Sequence, residues 1–220
     1  MNARSFDVEL KLREEEVVEV TSGLLHTILF LRSSAAGESG STVFTRGTPP
    51  VTKFSYVDCR TIDFTHVQVE SPDLKNRIHR EATLFFTQLK RGQRGRGSIT
   101  LEFYERSEGL LSTSCETWEM WRIGVTLTTC GSLFEKRRHS QKACAEIADF
   151  VSLITTAVNF DTHLPLAYTP EHVGRIYDTS LRGVQPYLFK ITHRIDCFRH
   201  YNPSVLTDLC KWIGKGAFLD

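Results

Sequence analysis

Residues 177–191 read YDTSLRGVQPYLFKI. The stretch begins polar, with Asp178, Thr179, Ser180 and Arg182. It ends apolar, with Tyr187, Leu188, Phe189 and Ile191. Gly183 and Pro186 stand at the change. Glycine admits a positive φ and proline holds φ near about −65°, so the pattern describes a shaped turn feeding a strand. Taken alone, it is accounted for by an ordinary turn into a core strand. The rest of the chain determines what that strand belongs to.

Upstream, Phe6, Val8, Leu10 and Leu12 alternate with charged residues, which predicts a strand with one buried face. Glu14, Glu15 and Glu16 suit the positive end of a helix. Val17, Val20, Leu24, Ile28 and Leu31 then recur at helical spacing, with Val18, Leu25 and Leu29 widening the stripe. Gly23 within this helix costs about 1 kcal/mol relative to alanine, which suggests that another element approaches closely there. Residues 33–52 read as a loop. Two strands follow, marked by Phe54 and Tyr56, then by Ile62, Phe64, Val67 and Val69. The second changes apolar phase at His66, as a β-bulge would.

Ser71-Pro72 opens a second helix carrying Leu74, Ile78, Ala82, Phe85 and Leu89, and Gly92 ends it. RGQRGRG, residues 91–97, reads as a solvated turn, because it lacks the interleaved aromatics of a nucleic-acid tract. Ile99, Leu101 and Phe103 mark a strand, residues 106–116 a loop, and residues 118–128 a long strand with a phase change between Met120 and Trp121. The longest helix is predicted over 133–159. Lys136, Arg137, Arg138 and His139 make its start basic, which is either a solvated face or a docking face for an acidic partner. Pro165 and Pro170 flank a connection to the stretch quoted above. Residues 203–220 carry a short amphipathic helix that includes Trp212. Helices separated by hairpins predict an α+β domain, a mainly antiparallel sheet covered by three helices.

The chain has 220 residues, 40% hydrophobic and 24% charged, with a net charge of +1. That composition suits a globular domain and does not favour wholesale nucleic-acid or membrane binding. The first residues have no apolar signal core, so a cytoplasmic protein with reduced thiols is expected. Cys59, Cys115, Cys130, Cys144, Cys197 and Cys210 form no CxxC. Cys197 and His200 make the tightest Cys/His spacing but lack the further ligands a structural zinc needs. Asp161 and His163 have no adjacent nucleophile. With no phosphate loop, dinucleotide fingerprint, GxSxG or HExxH, no catalytic residue, metal or cofactor is assigned. A thiol-dependent enzyme remains an alternative from another class.

IDFTHV (62–67), LEFYE (101–105), WEMW (118–121), LLHTILFLRS (24–33), the opening MNARS and YDTSLRGVQPYLFKI together resemble the autophagy-related protein 101 family, in the same order and over nearly the whole chain. The resemblance implies a divergent, nematode-like member rather than a vertebrate one. It implies a HORMA domain over residues 1–202, with residues 203–220 as a C-terminal tail. It implies a non-catalytic adaptor of the autophagy-initiation kinase complex, binding the HORMA domain of autophagy-related protein 13. Recruitment to early autophagic membranes, without stable insertion, and a homodimer when the chain is alone are further implications. Another HORMA adaptor, in checkpoint or chromosome signalling, is the runner-up. Tyr177, Gly183, Pro186, Tyr187 and Phe189 would lie in the C-terminal safety belt, held on the sheet as in the open form. Lys136, Arg137, Arg138 and His139 would edge a helix surface for the partner. Vertebrate members have an aromatic finger between the strands matched by LEFYE and WEMW. Here that place holds Leu110 and Leu111, a reduced apolar anchor or a loop tucked onto the body.

Overall fold

The computed structural model describes residues 3–34, 53–108, 113–158, 164–165, 170–181 and 184–196. In chain order the elements are β1 (Arg4–Leu12), α1 (Glu14–Leu31), β2 (Ser33–Ser34), β3 (Phe54–Asp58), β4 (Thr65–Val69) and α2 (Pro72–Arg91). They continue with β5 (Arg96–Glu108), β6 (Thr113–Leu127), α3 (Leu133–Val158), α4 (Pro170–Ile176), β7 (Gln185–Pro186) and β8 (Phe189–Ile195). The architecture is α+β. A four-stranded sheet has the order β1-β6-β5-β8, and β2–β7 and β3–β4 form two small antiparallel pairs. β1 runs parallel to β6, whereas β5 is antiparallel to both β6 and β8.

The sheet is amphipathic because its strands alternate. Leu10, Leu12, Ile99, Leu101, Phe103, Trp121, Ile123 and Val125 are buried. They share one core with α1, which is buried around most of its surface through Val17, Val20, Leu24, Leu25, Ile28 and Leu29. The start of α1 is closed by Arg13 and Glu16. The Arg13 amide donates to Glu16 Oε2 at 2.8 Å, and the Arg13 guanidinium holds Glu16 Oε1 from Nε and Nη2. This joins a capping carboxylate to the favourable acidic first turn. α2 buries Leu74, Ile78, Ala82, Phe85 and Leu89, and α3 buries Ala143, Ile147, Phe150, Ile154 and Ala157. Gly23 is a close-approach position, as expected. A Cβ there would stand 2.7 Å from Phe64 Cε1 and 2.9 Å from His66 Nδ1.

Several expectations are corrected. β3 and β4 pair without a register shift from Phe54↔Val69 to Asp58↔Thr65, so His66 is no bulge. The phase slip arises because Ile62 and Phe64 lie in the connecting turn, where the Cys59 amide donates to the Phe64 carbonyl at 2.9 Å. A bulge does occur in β6, at Trp118: Phe103 faces Glu119 while Tyr104 faces Thr117. It lies earlier than Met120–Trp121 because charged Glu119 occupies an inward position and hides the alternation. The loop expected over 106–116 is largely the outer part of the β5–β6 hairpin, paired out to Glu108↔Thr113. The connection after Pro165 contains the seven-residue α4. The Arg/Gly tract is the turn from α2 into β5, with Gly95 at φ 55°. The 203–220 helix, most of the 33–52 loop, Leu110 and Leu111, and Gly183 lie outside the described residues.

Candidate functional site

Among the predicted site residues, Tyr177, Pro186, Tyr187 and Phe189 are brought together in one place, all of them buried. α4 leads directly into Tyr177, which bridges back to Tyr187. The Asp178 amide donates to the Pro186 carbonyl at 2.9 Å, and the Leu188 amide donates to the Ile176 carbonyl at 2.7 Å. Leu181 and Val184 are buried beside them. Tyr177 stacks on Tyr187 with centroids 4.7 Å apart. Tyr187 in turn meets Trp118 edge-on at 5.0 Å, and Trp118 stacks on Phe103 at 5.5 Å. Burial pushes the Tyr177 phenol up, against the hydrogen bond it shares with Tyr187. The bulge therefore has a structural use: the extra residue in β6 turns Trp118 inward, onto the aromatic ring of the C-terminal segment.

Three further contacts seat this segment. Tyr187 donates its amide to the Arg32 carbonyl at 3.2 Å, and β7 pairs with β2 just beyond α1. α2 contributes Arg77, whose guanidinium lies 4.2 Å over the Phe189 ring and reaches Asp178 Oδ2 and the Phe189 carbonyl. β8 then runs along β5 from Phe103↔Phe189 to Gly97↔Ile195 as the edge strand.

Beneath the seat lies an ion pair that pattern reading missed. Arg32 Nε and Nη2 donate to Glu119 Oε1 and Oε2 at 3.0 and 2.8 Å, and both side chains are 1% exposed. Trp121 Nε1 adds a hydrogen bond to Glu119 Oε1 at 2.7 Å, and Arg32 Nη1 reaches the Val158 carbonyl at 3.4 Å. The pair thus ties the end of α1 to β6 and α3, next to the Arg32 carbonyl that holds the Tyr187 amide. Charged residues ordinarily mark surface, so nothing in the apolar periodicity points to either.

The basic start of α3 is the second candidate surface. Ser132 and Glu135 close the helix: Glu135 Oε2 accepts from the amides of Gly131 and Ser132 at 2.8 and 3.1 Å, and Ser132 Oγ accepts from the Glu135 amide. This carboxylate offsets the basic residues at the positive helix end. Lys136, Arg137 and Arg138 are exposed, whereas the His139 side chain is largely covered, with Nε2 3.4 Å from Glu16 Oε2. Leu133 and Phe134, which the sequence reading passed over, are 79% and 75% exposed. An exposed Leu-Phe pair beside three cations at one helix end has the composition of a contact surface.

Among the described thiols, Cys59 has an imidazole beside it. Cys59 Sγ lies 4.0 Å from His66 Nδ1. Burial, with Glu19 and Asp58 nearby, pushes the Cys59 thiol up to about 11, and burial pushes His66 down. Both partners therefore stay neutral, the reverse of an activated thiolate–imidazolium pair. Cys197 and His200 lie outside the described residues, as do Asp161 and His163. Among the described residues no group of three potential ligands could hold a metal, and no helix is long and apolar enough to cross a membrane.

A family model described as autophagy-related protein 101 matches residues 9–171. That match stops short of Tyr177, but pairwise similarity extends further. Autophagy-related protein 101 of Xenopus tropicalis is 32% identical over 202 residues, covering 89% of this chain and 90% of its own. The proteins of that name from Homo sapiens and Mus musculus are 31% and 30% identical, with the same coverage.

Proposed function

The chain belongs to the autophagy-related protein 101 family, and from that premise we propose that it is a HORMA-domain adaptor of the autophagy-initiation kinase complex. Its task in that reading is to bind and stabilise the HORMA domain of autophagy-related protein 13, without catalysing a reaction. The observation that carries the proposal is similarity to autophagy-related protein 101 over about nine-tenths of both chains.

The geometry supports it in two ways. The C-terminal segment lies on the sheet edge, docked through β2–β7 and β5–β8, as a safety belt held in a seated state would be. The exposed face of α3, with Leu133, Phe134, Lys136, Arg137 and Arg138 at its start, offers an apolar centre with a basic rim. Such a rim steers an acidic partner and sets the on-rate, while the apolar pair supplies the anchor. In the absence of the partner the same face suits a second copy of the chain. The protein works in the cytoplasm in this reading and reaches early autophagic membranes through its partners, not through insertion of its own.

Co-purification with the HORMA domain of autophagy-related protein 13 from the same species is the test. A stable one-to-one complex at micromolar concentration is expected. Two monomers that pass independently through size exclusion at that concentration refute the reading.

A further inference from the structure

A cavity of about 450 Å³ opens between α1, α2 and the β3–β4 hairpin, on the side of α1 that carries Glu19, Ser22 and His26. It belongs to neither surface described above. Its floor is built from polar side chains that the fold has buried without satisfying. His26 is 3% exposed, and its Nδ1 makes no hydrogen bond within the protein. Ser22 Oγ, also lining the cavity, makes none either. The other ring nitrogen of His26 lies 3.4 Å from Gln68 Nε2, so Gln68 fixes the ring and leaves Nδ1 unpaired. Buried polar atoms without partners are uncommon in folded proteins, and a ligand that supplies the missing bonds regains what burial costs.

The floor also carries two imidazoles. The His26 and His66 rings, both lining the cavity, lie 18° from parallel with centroids 5.9 Å apart. Burial, with His66 and Lys75 nearby, drives His26 down to about 3, so near neutral pH it presents one N–H and one acceptor nitrogen rather than a cation. The rim differs. Its carboxylates are engaged: Glu19 Oε2 accepts from the amides of Arg60 and Thr61 and from the Thr61 hydroxyl, and Asp58 Oδ1 accepts from the Thr65 hydroxyl. Lys75 lines the same rim and forms no ion pair with a described acid. The site therefore combines a neutral, hydrogen-bonding imidazole floor with an edge where two cations, Lys75 and Arg60, stand beside two carboxylates already held by amides and hydroxyls.

We propose that this cavity binds a small planar ring with hydrogen-bonding edges and one anionic substituent, its ring against the His26–His66 pair and its charge at Lys75. A carboxylate and a phosphate share that chemistry, so one probe of each kind distinguishes them. The whole chain, with histidine side chains labelled and assigned through His26→Asn and His66→Asn, is titrated with orotate and with uridine monophosphate and followed by NMR. Saturable shifts of the His26 and His66 imidazoles are expected with at least one probe, with His172 and His193 unmoved. The probe that saturates identifies the anion. Lys75→Ala, an exposed change that preserves the fold, is expected to weaken that binding about tenfold. No saturable shift at millimolar concentration of either probe overturns the proposal, because the cavity then holds only water. Shifts spread equally over all histidines, or binding indifferent to Lys75→Ala, overturn it as well.

Discussion

Replacing Glu119 by glutamine tests the seat of the C-terminal segment most directly. The carboxylate accepts three hydrogen bonds at 2.7–3.0 Å, two from Arg32 and one from Trp121. The amide that replaces it would keep one oxygen but turn a donor toward a guanidinium that is also only a donor. Arg32, 1% exposed, would then be a buried cation without a counter-charge. Breaking a buried pair from one side costs about 3–5 kcal/mol. In a domain of this size each kcal/mol moves the melting temperature by about 2–4 °C, so a fall of about 6–20 °C is expected. The double variant Arg32→Met/Glu119→Leu removes both charges and should recover most of the loss. The Trp121 indole would remain without its acceptor, at about 1–3 kcal/mol, and the Val158 carbonyl would lose its longer bond from Arg32. Denaturant unfolding of the wild type, both single variants and the double variant supplies the measurement. Hydrogen exchange at the Tyr187 amide, which donates to the Arg32 carbonyl, reports whether the segment loosens first. If Glu119→Gln lies within about 1 kcal/mol of wild type, or the double variant is less stable than the worse single one, the pair does not hold the seat.

Further outcomes follow from other sites. Stability should fall as pH drops below about 6.5, because the unfolded chain protonates His26 there while the folded chain resists to about 3. The slope attributable to His26 is about 1.4 kcal/mol per pH unit, and His26→Asn should flatten acid unfolding by about one proton; an unchanged slope refutes this. Gly23→Ala gains helix propensity of about 1 kcal/mol but drives a methyl to 2.7 Å from Phe64, so net destabilisation of about 1–2 kcal/mol is expected, and a higher melting temperature would contradict it. Leu133→Ser/Phe134→Ser should leave stability within about 0.5 kcal/mol and weaken binding of the partner HORMA domain by about 2 kcal/mol or more, as read by calorimetry. Reversing Lys136, Arg137 and Arg138 to glutamate should slow association with an acidic partner about tenfold at low salt, and an on-rate independent of both charge and salt would remove these residues from the interface.

The three long helices and the inner parts of the main-sheet strands were legible from their helical or alternating faces, whereas the outer β5–β6 hairpin read as a polar loop and the β6 bulge was placed too late. Phe6 to Leu12 alternate with charges, and Val17 to Leu31 form a helical stripe that buries nearly all round. What escaped did so for physical reasons. α4 has only seven residues, too few for a period to register. β2 and β7 are two-residue strands whose pairing is set by what they are packed on, not by their own composition. Glu119 and Arg32 are interior charges, and interior charges imitate surface in any hydrophobic count. The parallel partnership of β1 and β6 joins residues more than a hundred positions apart, beyond the reach of local pattern. The C-terminal stretch was legible as a turn into a strand, and Pro186, Tyr187 and Phe189 are buried there. The cavity was not legible, since it needs His26 and His66 side by side, although about forty residues of chain separate them.

The sheet order β1-β6-β5-β8 puts the first and last described strands at its two rims, with a hairpin between them. The central pair closes locally, whereas each rim closes over a long stretch of chain. Loop-closure entropy then orders assembly: the β5–β6 hairpin is the natural nucleus and the rims are added to it. During synthesis β5 has both neighbours only after residue 195 has emerged, so a nascent chain carries an unpaired rim until then. Such a rim is the stage at which misassembly threatens and at which a helper would act. A partner present at that moment meets a sheet still able to accept a strand, whereas one arriving later meets a rim already filled by β8.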